Sequence, residues 1–147
     1  MNQIKFKSLH NKGKKPTNEY KSAIYSISSG ERCYIYPGER KIIKTFIELE
    51  IPEGYFGMIL PRKENYIRNG LYAFQEIIYP QDKKELLLMV TNVNIPKSPY
   101  MMTDNERFLG ERSKIDVYIG DKVANLMLVP IYKYIFDDGK KQEIINE

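Results

Sequence analysis

KIIKTFIELEI, residues 41–51, is the stretch on which the fold turns. Its apolar and β-branched residues fall two apart, so Ile43, Thr45, Ile47, Leu49 and Ile51 share one face of a strand, which Pro52-Glu53-Gly54 ends. Upstream, residues 31–36 alternate in the same way, Arg32, Tyr34 and Tyr36 against Cys33 and Ile35, and run into the turn pair Pro37-Gly38. Downstream, Tyr55 to Leu60 reads as a third strand and Leu86 to Val90 as an apolar fourth; Asn125 to Ile131 is a fifth, with room to run on to Phe136. Short strands at this spacing, each bounded by Pro or Gly, describe an all-β barrel or sandwich. Two stretches read as helix. Lys63 to Asn69 is stopped by Asn69-Gly70, and Asp104 to Leu109 begins where Thr103 and Glu106 have capping-box spacing.

At 147 residues the chain fits one domain, expected over residues 1–136, with a polar tail at 137–147. Its 23 Lys and Arg against 19 Asp and Glu leave +4, too modest an excess to specify a nucleic-acid face, and KGKK at 12–15 is one short loop. With 42% apolar and 29% charged residues it is far from the composition of disorder. No apolar run approaches the roughly 18 residues that cross a bilayer, and MNQIKFKSLHNKGKK lacks the continuous apolar stretch of a signal peptide. The expected location is the cytoplasm, with no membrane partner. A single Cys33 and a single His10 exclude an internal disulfide, a His/Cys metal cluster and a His-based triad.

The run ERCYIYPGERKIIKTFIELEIPEGYFGMILPR, residues 31–62, resembles the homotrimeric dUTPases, whose strand–PGxR–strand–IPEGY-xGxIxPR pattern it carries. The resemblance reaches back to Ile4 and forward through IGDKVANLMLVPI, residues 119–131. It implies a jelly-roll-like β-barrel of the β-clip type with one or two short helices, a homotrimer about an axis, and active sites at subunit junctions.

Five motifs carry that family's chemistry, and this chain departs from most of them. Family A-G-Y-D-L is Ala23-Ile24-Tyr25-Ser26-Ile27, so a neutral hydroxyl, Ser26, stands where a carboxylate helps hold magnesium–triphosphate. P-R-S-S is Pro61-Arg62-Lys63-Glu64: Arg62 is kept, and Lys63, replacing a phosphate-contacting serine, either makes the anion site more basic or points to water. I-D-x-D-Y-R-G-E aligns without a gap on residues 78–85, which sets Tyr79 where the water-activating aspartate belongs and Asp82 where a tyrosine packs on deoxyribose. Two residues fewer before Ile78 remodel the uracil-reading hairpin through Tyr72, Phe74 and Gln75. G-D-R-I-A-Q-L is Gly120-Asp121-Lys122-Val123-Ala124-Asn125-Leu126, in which Asn125 still supplies an amide donor. The Gly- and Ser-rich C-terminal arm has no counterpart in FDDGKKQEIINE, residues 136–147.

A positioned general base is worth about 10²–10⁴ in rate, and a metal clamp supplies several kcal/mol more. Losing base, metal carboxylate and arm together predicts a catalytically inactive trimer with no catalytic residue, metal or cofactor. Such a trimer would capture a phosphorylated nucleotide, or a nucleotide-derived signal as a virus would sequester it. Arg62, Lys63, Lys83 and Asn125 would hold its phosphates, with Asp82 at the sugar position. Tyr72, Phe74 and Tyr79 would stack on its base or pack in the barrel. Two alternatives stand beside this one. Residues 93–114, longer than the family's connection and holding Tyr100, Met101, Met102 and Phe108, suit a protein partner or a lid. In the other, hydrolysis survives with Asp82 or Glu76 as the base.

Overall fold

The computed structural model describes residues 3–95 and 113–140. Among them are eleven strands: β1 (Lys5–Ser8), β2 (Thr17–Asn18), β3 (Ile24–Ser28), β4 (Cys33–Ile35), β5 (Arg40–Glu50), β6 (Tyr55–Leu60), β7 (Leu71–Ala73), β8 (Glu76–Ile78), β9 (Glu85–Asn92), β10 (Ile115–Val117) and β11 (Lys122–Pro130). One helix, α1 (Lys63–Asn69), lies between β6 and β7. The strands form a four-stranded sheet in the order β1-β5-β9-β7, a five-stranded sheet in the order β2-β3-β11-β6-β8, and the pair β10-β4. The all-β jelly roll is therefore as expected. Its core draws Ile43, Ile47, Leu88 and Val90 from the first sheet, Ile27, Ile59, Val123 and Leu126 from the second, and Ile35 and Val117 from the pair.

Two irregularities set which way side chains point. In β5, Lys44 faces Leu87 of β9 and Glu48 faces Glu85, so residues 45–47 stand opposite Leu86 alone. An excess of two residues is even, and parity survives it: Ile43, Thr45, Ile47 and Leu49 are all buried, as the period-two pattern requires. The excess is taken up at Phe46, whose φ is +56°. Thr45 Oγ1 donates to the Leu86 carbonyl across the gap. In β11 the partners of Lys122 and Ala124 are Ser28 and Ile27, a one-residue bulge. Here the excess is odd, so the neighbours Val123 and Ala124 are both buried and the alternation restarts with Leu126 inward and Asn125 outward.

Helix α1 ends at Gly70, whose φ of +80° and N–H bonds to the Asn65 and Tyr66 carbonyls make a left-handed cap. A Cβ there would lie 2.4 Å from Asn94 Oδ1. Buried Asn65 donates to the Lys122 carbonyl at 2.8 Å, which ties the helix to β11 and sets Arg62, at the helix start, beside that strand.

Two expectations change, and a third is not reached. The fifth strand stops at Pro130, where its partner β6 begins at Tyr55, and Ile131 to Phe136 are exposed and outside any strand. Leu71 to Ile78 is no hairpin, because β7 pairs with β9 in one sheet and β8 with β6 in the other. The helix expected at 104–109, and most of the 93–114 segment offered for a protein partner, lie outside the described residues.

Candidate functional site

Thr17, Ser26, Asn125 and Leu60 form one row across β2, β3, β11 and β6. Arg62 follows Leu60 by two residues, and its Nη1 donates to Asn125 Oδ1 at 2.9 Å and meets Glu19 Oε1 at 3.3 Å. Lys122 Nζ donates to that same Glu19 oxygen at 2.7 Å. The Glu19 carboxyl is held below the usual carboxylate range, first by the Lys122 hydrogen bond; partial burial opposes, and the Ser26 hydroxyl and the charges of Lys122 and Arg62 add to the lowering. Two cations thus share one anion. Arg62 Nε, buried, has no hydrogen-bond partner among the described residues. The sequence reading missed Glu19, for a lone acid in KKPTNEYKSA carries no signal until the Thr17–Ser26 register brings it to Arg62.

Beside this cluster Arg62 and Lys63 join Pro61, Tyr66 and Tyr72 around an open cavity of about 260 Å³. Phe74 meets Tyr72 edge to face, with ring centroids 5.8 Å apart. Of the residues singled out from sequence, the structure therefore brings together Arg62, Lys63, Tyr72, Phe74 and Asn125. Tyr79, Asp82 and Lys83 lie apart, on the turn after β8. There Asp82 Oδ2 accepts the Tyr79 N–H at 2.9 Å, while the Tyr79 and Lys83 side chains are exposed.

Asp82 also lines a second cavity, of about 290 Å³, with Glu76, Lys84, Glu85, Leu49 and Leu86. Glu85 is engaged through the Phe46 N–H at 3.3 Å. The Glu76 side chain, in contrast, has no hydrogen bond or ion pair to another described residue. Burial pushes its carboxyl above the ordinary glutamate value, with the charge of Lys84 opposing. Cross-strand partners share a face, and Glu76 pairs with Ile59, a core residue 1% exposed. Asn125 is one residue out of that row and points the other way. The cationic cluster and Glu76 therefore belong to opposite faces of the same five-stranded sheet.

The donors of one chain do not fit the magnesium ion that the resemblance implies. Ser26 is neutral, the Glu19 oxygen is already shared by Lys122 and Arg62, and among the described residues no three His, Cys, Asp or Glu side chains gather.

A family model described as dUTPase matches residues 12–107. The deoxyuridine 5'-triphosphate nucleotidohydrolase of Syntrophotalea carbinolica is 27% identical over 140 residues, 91% of this chain and 83% of that one. Those of Encephalitozoon cuniculi and Leifsonia xyli are 25% and 24% identical over 63% and 75% of this chain. The chain spans just under two thirds of the length of these last two relatives, 65% and 63%. Among solved structures, the dUTPase from phage phi11 of S. aureus superposes with a TM-score of 0.79 at 24% identity, covering 97% of this chain and 99% of that one. The dUTPase of Staphylococcus bacteriophage 80alpha does so with 0.77 at 22%, covering 98% and 100%. These structural likenesses carry the fold. The relatives' names are those of enzymes, and they overturn the expectation of a catalytically inactive trimer that only captures its ligand. The described residues still hold two carboxylates that bear on that expectation, Glu19 beside Arg62 and the unengaged side chain of Glu76. With its model matched over well more than half of the chain, this protein belongs to the dUTPase family.

Proposed function

We propose that this chain hydrolyses dUTP, or a closely related pyrimidine deoxynucleoside triphosphate of the cytoplasmic pool, to the monophosphate and pyrophosphate, as a homotrimer whose sites lie between copies. The observation that carries the reading is the split of the site residues between the two faces of the five-stranded sheet. A single chain cannot turn Glu76 and the Arg62–Asn125 cluster onto one ligand, whereas a neighbour's Glu76 can face them.

In this reading Arg62, Lys63 and Asn125 hold the triphosphate by charge-assisted hydrogen bonds. Tyr72, backed by Phe74, forms the wall on which a base lies. Glu76 of another copy accepts a proton from water; the water oxygen bonds to the α-phosphorus; the bond from that phosphorus to the bridging oxygen breaks, and pyrophosphate leaves with the electron pair. Burial raises the Glu76 carboxyl, which makes its carboxylate a stronger base than an ordinary glutamate. Asp82, occupied in its own turn, holds the segment that follows β8.

Pyrophosphate release from the magnesium complexes of dUTP, dCTP and dTTP tests this. Turnover of at least one, lowered about 10²–10⁴-fold by Glu76→Gln and much less by Asp82→Asn, is expected. No release from any of the three overturns the reading, and release that Asp82→Asn abolishes and Glu76→Gln spares moves the base to Asp82.

A further inference from the structure

Glu19 is delivered to the cationic cluster by an unusual turn. Tyr20 and Lys21 both have left-handed backbone, with φ of +54° and +52°, in a stretch without glycine. The turn is locked on either side. The Glu19 carbonyl accepts the Ser22 N–H at 2.9 Å and hydroxyl at 2.6 Å, and its N–H donates to the Ile24 carbonyl at 2.9 Å. Asn18 Nδ2 adds a bond to the Ser22 carbonyl at 2.7 Å. The Glu19 backbone has no slack, and its side chain is only 14% exposed. Backbone of this kind persists where the surroundings over-determine it, and what it fixes here is one carboxylate on Arg62 and Lys122.

Arg62 is gripped at Nη1 from two sides, by Asn125 Oδ1 and by Glu19 Oε1. Two acceptors on one nitrogen fix the plane of the fork as well as its position, and with Nε buried they leave Nη2 for a ligand. We propose that Glu19 is a positioning residue, which with Asn125 holds the Arg62 guanidinium in the orientation that meets a phosphate chain, supplying from the β2–β3 turn the negative charge that position 26 lacks. This rests on the proposed reading of Arg62 as a phosphate contact.

The sign of the effect separates this role from the alternatives. Taking a negative charge out of a cationic cluster strengthens the binding of anions if the charge does nothing else. A positioning role predicts the reverse. Calorimetric titration with inorganic tripolyphosphate at neutral pH and low salt reads it directly: Glu19→Gln is expected to weaken binding at least about tenfold in spite of its added positive charge. In an Arg62→Gln background the same change should do almost nothing. Glu19→Asp, which keeps the charge and shortens the reach by one methylene, should weaken binding too. Ser26→Asp placed in the Glu19→Gln protein should recover most of the loss, because Ser26 shares the row with Asn125. Binding as tight as wild type or tighter in Glu19→Gln overturns the proposal, as do additive effects of Glu19→Gln and Arg62→Gln, or a wild-type protein that does not bind tripolyphosphate. Should Glu19→Gln fail to fold, Glu19→Asp decides alone, wild-type affinity counting against. Turnover of dUTP plays no part in this readout, so a protein that binds tripolyphosphate as expected but releases no pyrophosphate sinks the proposed function and leaves the role of Glu19 standing.

Discussion

Glu76 and Asn92 are both inward-facing polar residues, and they differ in what satisfies them. Asn92, 1% exposed, donates to the Ile35 and Ser113 carbonyls at 2.9 and 2.8 Å and accepts the Asn94 N–H at 2.9 Å. Asn92→Ala strands those groups, and a loss of about 1–3 kcal/mol in denaturant unfolding is expected. The Glu76 side chain has no such partners among the described residues, and burial raises its carboxyl. An acid whose folded value lies above its unfolded one binds its proton more tightly when folded. Its ionisation therefore costs stability, not at all below the unfolded value and in full above the folded one. Glu76→Gln is accordingly expected to raise the thermal midpoint at neutral pH while removing turnover, a trade typical of functional groups held where folding alone would not place them. In wild type the acid limb of kcat/KM should lie above the ordinary glutamate value of about 4.3. An unchanged or lowered midpoint in Glu76→Gln would count against a desolvated carboxylate. Residues like these are legible in sequence only in part. Arg62 and Asn125 stood out through the resemblance to family motifs and Glu76 only as an alternative base, whereas Glu19 becomes visible only through strand register, which also sets the face that Glu76 takes.

At the scale of elements, the long strands are the legible ones. β5 was readable because eleven residues allow a period of two to be counted, and its two-residue excess leaves that period intact. β7, β8 and β10, with three residues each, are too short to show alternation, and the sequence passes through them unmarked. Deleting Phe46 alone leaves an odd excess and turns Ile47 and Leu49 from the core toward solvent; deleting Thr45 and Phe46 together removes the excess and restores a regular ladder with β9. The single deletion is expected to give insoluble or unfolded protein. The double deletion should fold with a lowered midpoint, having lost the Thr45–Leu86 bond and the contact of Phe46 with His10. Equal behaviour of the two deletions, by solubility and circular dichroism, would mean that the bulge does not set the phase of the strand.

At the scale of the molecule, the proposed site residues lie on two faces of one sheet, and the proposed reaction would then need association. The outward face of the four-stranded sheet carries Ile42 opposite Met89, with Leu87 beside them, an apolar row suited to cover by another copy. If the site is completed across copies, two separately inactive variants must rescue each other. Arg62→Gln removes the phosphate contact and leaves Glu76 intact, while Glu76→Gln does the opposite. Mixed after dissociation and reassembled at equal concentration, they place an intact Arg62 against an intact Glu76 at about one junction in four, and about a quarter of wild-type pyrophosphate release is expected. Mixing without dissociation should restore nothing, and neither should mixing Arg62→Gln with Asn125→Ala, because those two residues act on the same face of the same chain. A mixture that stays inactive after verified subunit exchange would place Arg62 and Glu76 in one chain's site, and the face-to-face division of the sheet would then have to be bridged by movement of β8.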